Sequence, residues 1–171
     1  MPLAQMLLPE YDQEMASTRK LLQVVPDDKL DYKPHEKSMT LGRLASHVGE
    51  MPGWIAMTLT TERLDLTPGH KPYMASSRED LLATFDKQVA EARALLAAAS
   101  DDDLAKTWSL TFAGQPVFSM PRAAVVRTSG MNHMIHHRAQ LGVYLRLNNV
   151  EIPGMYGPSA DEMKFWQSAG A

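Results

Sequence analysis

The sequence predicts an all-α protein, a four-helix bundle in a single domain spanning residues 1–171. Two observations carry that prediction. Four long segments show apolar residues at three- and four-residue spacing, and Pro- and Gly-containing clusters separate them. A chain of 171 residues is one domain's worth and can bury a core without staples.

The first segment runs from Leu3 to about Val24. Leu7, Tyr11, Met15, Thr18 and Leu22 fall on one face. Pro9 lies near its start, where a helix tolerates proline best. The second segment opens behind Thr40, an N-cap residue, with Leu41, Leu44, Val48, Met51, Ile55 and Leu59 as its stripe. Pro52 interrupts that stripe and predicts a kink or a split into two helices. The third opens at Ser77-Arg78-Glu79-Asp80, a cap followed by acids, and turns Leu82, Phe85, Val89, Ala92 and Leu96 inward. The fourth begins with Pro121 and continues to about Leu147, the longest and most apolar of the set.

Between the third and fourth helices, Trp108–Phe112 and Val117–Met120 flank Ala113-Gly114-Gln115-Pro116. This predicts a short β-hairpin. Ser159-Ala160-Asp161-Glu162 has the capping-box pattern of a short C-terminal helix reaching about Gln167.

Composition removes several functions. The net charge is −3, so no basic surface is offered to nucleic acid or an anionic membrane. The absence of cysteine excludes disulfides, thiolate metal sites and a cysteine nucleophile. No basic leader precedes an apolar run, and no stretch approaches a membrane span, so the expected location is cytoplasmic.

The chemistry concentrates in histidine. Of six histidines, three lie in Asn132-His133-Met134-Ile135-His136-His137-Arg138. His133 and His137 are four apart, so a helix sets them roughly 40° apart on one face. His136 points roughly 60° from one and 100° from the other and is left out of the group. Two imidazoles at this spacing make half of a divalent metal site. His47, between Leu44 and Met51 on the inner stripe of the second helix, is the best third ligand. Three neutral histidines would leave the ion an open position, as catalytic sites do, and Zn²⁺, Ni²⁺ or Fe²⁺ suits imidazole. From spacing alone, the bland reading stands beside this one. His47 would then donate to a backbone carbonyl, and residues 133–137 would form a polar patch or a dimer face.

Four neighbours have several readings. Glu50, one turn beyond His47, is an acceptor for a ligand, a general base near bound water, or a solvated surface acid, the last being preferred. Trp54 reads as core or pocket wall, and Tyr144 as core packing rather than a hydroxyl near a metal. Arg138 would bind an anionic substrate or form a surface ion pair. No Glu-x-x-His, His-Glu-x-x-His, phosphate loop or Gly-x-Ser-x-Gly is present.

Three stretches together resemble the DinB/YfiT-like metalloprotein superfamily. They are Leu41-Gly-Arg-Leu-Ala-Ser-His47, then His133-Met-Ile-His-His137-Arg-Ala-Gln-Leu-Gly-Val-Tyr-Leu-Arg146, and the tail Ile152-Pro-Gly-Met-Tyr-Gly-Pro-Ser159. The resemblance covers nearly the whole chain. It implies an up-down-down-up bundle and a metal held by His47, His133 and His137. It also implies a homodimer. Members of that superfamily include thiol-dependent transferases and isomerases, so the resemblance implies a small-molecule substrate and a low-molecular-weight thiol as co-substrate. Hydrolysis by activated water is the second enzymatic expectation, and a non-catalytic metal- or small-molecule-binding stress protein is the alternative.

Overall fold

A computed structural model describes residues 1–163. Its main helices are α1 (Leu3–Leu22), α2 (Leu41–Thr60), α3 (Arg78–Ala98) and a last helix in three parts. Those parts are α5 (Arg122–Val125), a π-helical segment (Val126–Asn132) and α6 (His133–Leu147). A short α4 (Asp101–Ala105) precedes the sheet.

The expected cap residues do their work. Thr40 accepts from the Arg43 amide and Ser77 from the Asp80 amide, each at the start of its helix. Tyr11, Met15, Thr18 and Leu22 of α1 are buried, as are Leu41, Leu44, Val48, Met51 and Ile55 of α2. On α3 the deepest residue of the first turn is Leu81 rather than Leu82. Leu81 sits against Gly49, where an added Cβ would come within 2.7 Å of its Cδ1.

Neighbouring side chains fix the helix directions. Gly49 lies beside Leu81 and Gly53 beside Gln88, so α2 and α3 run parallel. Asp12 pairs with Arg93 and Arg19 with Asp86, so α1 and α3 are antiparallel. His47 meets His133 and Ile55 meets Gly130, so α2 and the last helix are antiparallel. This is the up-down-down-up order. Two parallel consecutive helices need a long crossover, here residues 61–77.

Pro52 does not split α2, which is continuous from Leu41 to Thr60. Beside it, the Gly53 amide donates to the Gln88 side chain of α3 at 3.1 Å. A partner for the amide next to the proline removes the penalty of an unpaired group.

The hairpin is present as β2 (Thr107–Phe112) and β3 (Gln115–Pro121). Ala113 and Gly114 make its turn with φ of 49° and 77°, the double positive φ of a tight hairpin. Pro116 is tolerated because β3 is an edge strand. A third strand, β1 (Arg63–Leu66), was not expected. It lies in the crossover and pairs parallel with β2. The Asp65 carboxylate accepts from Thr111 and from the Gly114 amide, tying β1 to the turn.

Ser159 and Glu162 form the expected reciprocal cap, and a helical turn starts at Ala160. The rest of the expected C-terminal helix lies outside the described residues. No helix among the described residues is long and apolar enough to cross a membrane.

The largest departure is the π-helical turn inside the fourth helix, immediately before His133. Its Gly130 packs on α2 so closely that a Cβ would lie 2.5 Å from Ile55 Cγ1. Isoleucine is stiff near its Cβ, so this overlap is not relieved by a rotamer change. Gly130→Ala is therefore expected to destabilise the fold by about 1–3 kcal/mol. The displacement falls on the turn that carries His133, so weaker zinc binding should accompany it. Thermal unfolding and a zinc titration of the same sample check both.

Candidate metal centre

Helix α2 presents His47 and α6 presents His133 and His137 to a common point. Their ring nitrogens lie within 4.8 Å of one another. His133 Nε2 is 3.4 Å from His47 Nε2 and 2.8 Å from His137 Nε2. Two nitrogens bound to one ion at ~2.0–2.1 Å stand roughly 2.9 Å apart at a right angle and roughly 3.3 Å apart at a tetrahedral angle. These two spacings bracket that range, and the His47–His137 pair lies within 4.8 Å.

The outer edges of the His47 and His137 rings are engaged elsewhere. His47 Nδ1 donates to Glu50 Oε1 at 2.7 Å. His137 Nδ1 donates to Gln140 Oε1 at 2.8 Å. The amide of Gln140 is oriented by its NH₂, which donates to His136 Nε2 at 3.1 Å. The backbone carbonyl of Ser129 acts on the His133 ring and favours its protonated form, against the larger effect of burial. A neutral imidazole has one N–H, so a proton on each outer edge leaves an unprotonated Nε2 facing inward. Three lone pairs then converge with no donor among them. A cation at that point satisfies all three, and outward hydrogen bonds of this kind orient metal-bound histidines.

Electrostatics favour the neutral, ligating form. Burial and the neighbouring imidazoles push the His133 pKa down to about 4. Burial lowers His137 as well, against the hydrogen bond to Gln140. Among the described residues the group consists of these three rings, with no carboxylate joining them.

Glu50 departs from the preferred expectation of a solvated acid. Its side chain is only 14% exposed and is shared between His47 and Arg43 Nη2, the latter at 3.0 Å. Burial acts to raise its pKa, but the hydrogen bonds and charges of His47 and Arg43 outweigh it and hold the carboxyl below its usual range. Arg43 was missed in the sequence. Its signal was position: Arg43, His47 and Glu50 repeat along one helical face, and Gln140 stands three residues after His137 as Glu50 stands after His47. Glu50→Ala should leave the fold intact and weaken zinc binding about 10–100-fold, measured by competition with a chromophoric chelator.

The other residues sort plainly. His136 is exposed and outside the group, as expected. His35 and His70 are exposed in loops. Trp54 is half-buried and lines a cavity beside His133. Tyr144 is half-buried, packing edge-on to Tyr32 and against the core. Arg138 corrects both readings offered for it. It is 2% exposed and forms a buried ion pair with Glu14 at 2.7 Å. It also donates to Thr18 Oγ1 and Tyr156 Oη. Its charge is balanced by Glu14 inside the fold, so this is a buried ion pair and not a surface one.

Fold and cluster together define a helical bundle with a three-histidine centre between its second and last helices. The DinB family model matches residues 2–169, and the chain belongs to the DinB family. An uncharacterized protein, YrdA, of Bacillus subtilis strain 168 is 26% identical over 162 residues, spanning 91% of this chain and 89% of its own. The crystal structure of a DinB-like protein from Bacillus cereus ATCC 10987 is similar with a TM-score of 0.66 and 28% identity, over 87% of this chain and 95% of that one. A second, the DinB-like protein YjoA from Bacillus subtilis, has the same TM-score at 20% identity, over 88% and 96% of the two chains.

Proposed function

We propose that this chain is a metal-dependent enzyme acting on a small molecule, with His47, His133 and His137 as the ligands of one divalent ion. The observation that supports it most is the inward convergence of three imidazole nitrogens, with the His47 and His137 rings each tied to an acceptor at their outer edges. Bound there, a divalent ion supplies Lewis acidity, which makes a thiol or a water nucleophilic at neutral pH. The residues around it have distinct duties. Glu50 keeps the His47 proton on Nδ1, and Arg43 balances the Glu50 charge. Gln140 holds the His137 ring. With three ligands among the described residues, such an ion would keep a position for the reacting group.

Transfer to a low-molecular-weight thiol is the preferred reaction, and hydrolysis the second. Zinc-, nickel- and iron-loaded samples assayed with thiol–electrophile pairs and with activated esters test this. Turnover that depends on added thiol supports transfer, and thiol-independent ester cleavage supports hydrolysis. Metal retention with no turnover in either assay sinks the enzymatic reading and leaves a metal-binding protein.

A homodimer belongs to the same reading. Its support is the apolar outer side of α6, where Val143 and Leu147 are exposed next to Ile152 and Met155. Sedimentation at micromolar concentration decides it.

A further inference from the structure

A cavity of about 210 Å³ lies between α2, the π-helical turn and the inner side of the β2–β3 hairpin. Trp54, Trp108, Leu110, Phe118 and Val125 form its walls, and His133 is its one ionisable residue. Two polar groups of its lining are already bonded, and the Ser129 hydroxyl is a third polar group there. The Trp108 indole N–H donates to Thr61 Oγ1 at 3.0 Å. The Thr58 hydroxyl donates to the Trp54 carbonyl at 2.9 Å. A cavity holds ordered water only where two or more polar partners are free to bind it, and an apolar cavity of ~150 Å³ stays dry and accepts benzene. This space is somewhat larger, partly open at one side and lined mainly by apolar and aromatic side chains. The rings of Trp108 and Phe118 stand 6.1 Å apart at 41°, an aromatic wall with a face available to a third ring.

We propose that this cavity binds a single benzene-sized aromatic ring, the apolar part of the substrate, and places it against His133. The assignment rests on the reading of the three-histidine cluster as the reactive centre. A small apolar pocket with one polar group at its edge is the general form of a small-molecule site. Here that polar group is a member of the cluster. The hairpin contributes Leu110 and Phe118 to the walls, so the sheet added to the bundle sets the size of substrate the site accepts.

Toluene is the probe, followed by saturation-transfer NMR on the full chain in metal-free and zinc-loaded form. Binding is expected in both forms. Leu110→Trp fills the cavity from a half-buried position and should weaken toluene binding at least tenfold, with zinc uptake unchanged. Phe118→Trp provides the same comparison should Leu110→Trp fail to fold by circular dichroism. A zinc-loaded parent without a toluene signal overturns the ring site and leaves the metal reading standing. Equal toluene binding by a folded Leu110→Trp variant also overturns it. Toluene binding by a parent that takes up no zinc supports the ring site and sinks the metal reading alone.

Discussion

Protein purified without a histidine tag is expected to carry close to one divalent ion per chain, and His47→Ala or His137→Ala almost none. The reason is the geometry of the inner edge. Each ring supplies one nitrogen to a shared point, and outward partners already fix the orientation of the His47 and His137 rings. Replacing an orienting partner of a ligand costs about 10–100-fold in affinity. Removing the ligand itself should cost more than about a hundredfold, since two imidazoles on one helix remain in His47→Ala and one from each helix in His137→Ala. Elemental analysis reads the content directly. The parent should also gain thermal stability from added zinc, because an ion that binds only the folded state stabilises it by mass action. The variants should not. A parent that is empty as purified and refuses added Zn²⁺ or Ni²⁺ would remove the metal centre.

The largest loss of stability is expected from Arg138→Met. Arg138 and Glu14 face each other across α6 and α1, and both are almost completely enclosed. The arginine also donates to the Glu14 carbonyl and Thr18 Oγ1, and the Tyr156 hydroxyl meets both members of the pair. Removing one partner leaves a buried charge uncompensated, which costs about 3–5 kcal/mol. For a chain of this size that is a fall of roughly 6–20 °C in Tm. Glu14→Leu combined with Arg138→Met removes both charges and should recover most of the loss, since a buried pair replaced by apolar residues is often neutral. Thermal unfolding of the two single variants and the double variant gives the coupling directly. Additive losses in the double variant would show that the pair contributes nothing as a pair.

The bundle was legible because its signals are local. Stripes, caps at Thr40 and Ser77, and breakers lie within a few residues of what they determine. The i,i+4 pair of His133 and His137 was legible for the same reason, and His47 stood out as a polar residue on an apolar stripe. What escaped depends on partners far along the chain. β1 is four residues of modest alternation and becomes a strand only because β2 lies alongside. Pro52 reads as a break unless Gln88, on another helix, is known to receive the neighbouring amide. The π-helical turn contains Gly130, whose close approach to Ile55 no spacing in either segment announces. Glu50 and Arg138 were misjudged because surface and interior acids or bases look alike until their counter-ions are placed.

His47 and His133 are 86 residues apart in the chain. During synthesis at roughly 5–20 residues per second, the second helix therefore waits roughly 4–17 s for the rest of its centre to be made. Throughout that interval His47 is a lone imidazole beside Glu50, with no companion ring to help it retain an ion. The three-histidine cluster can therefore assemble only once the last helix has been made.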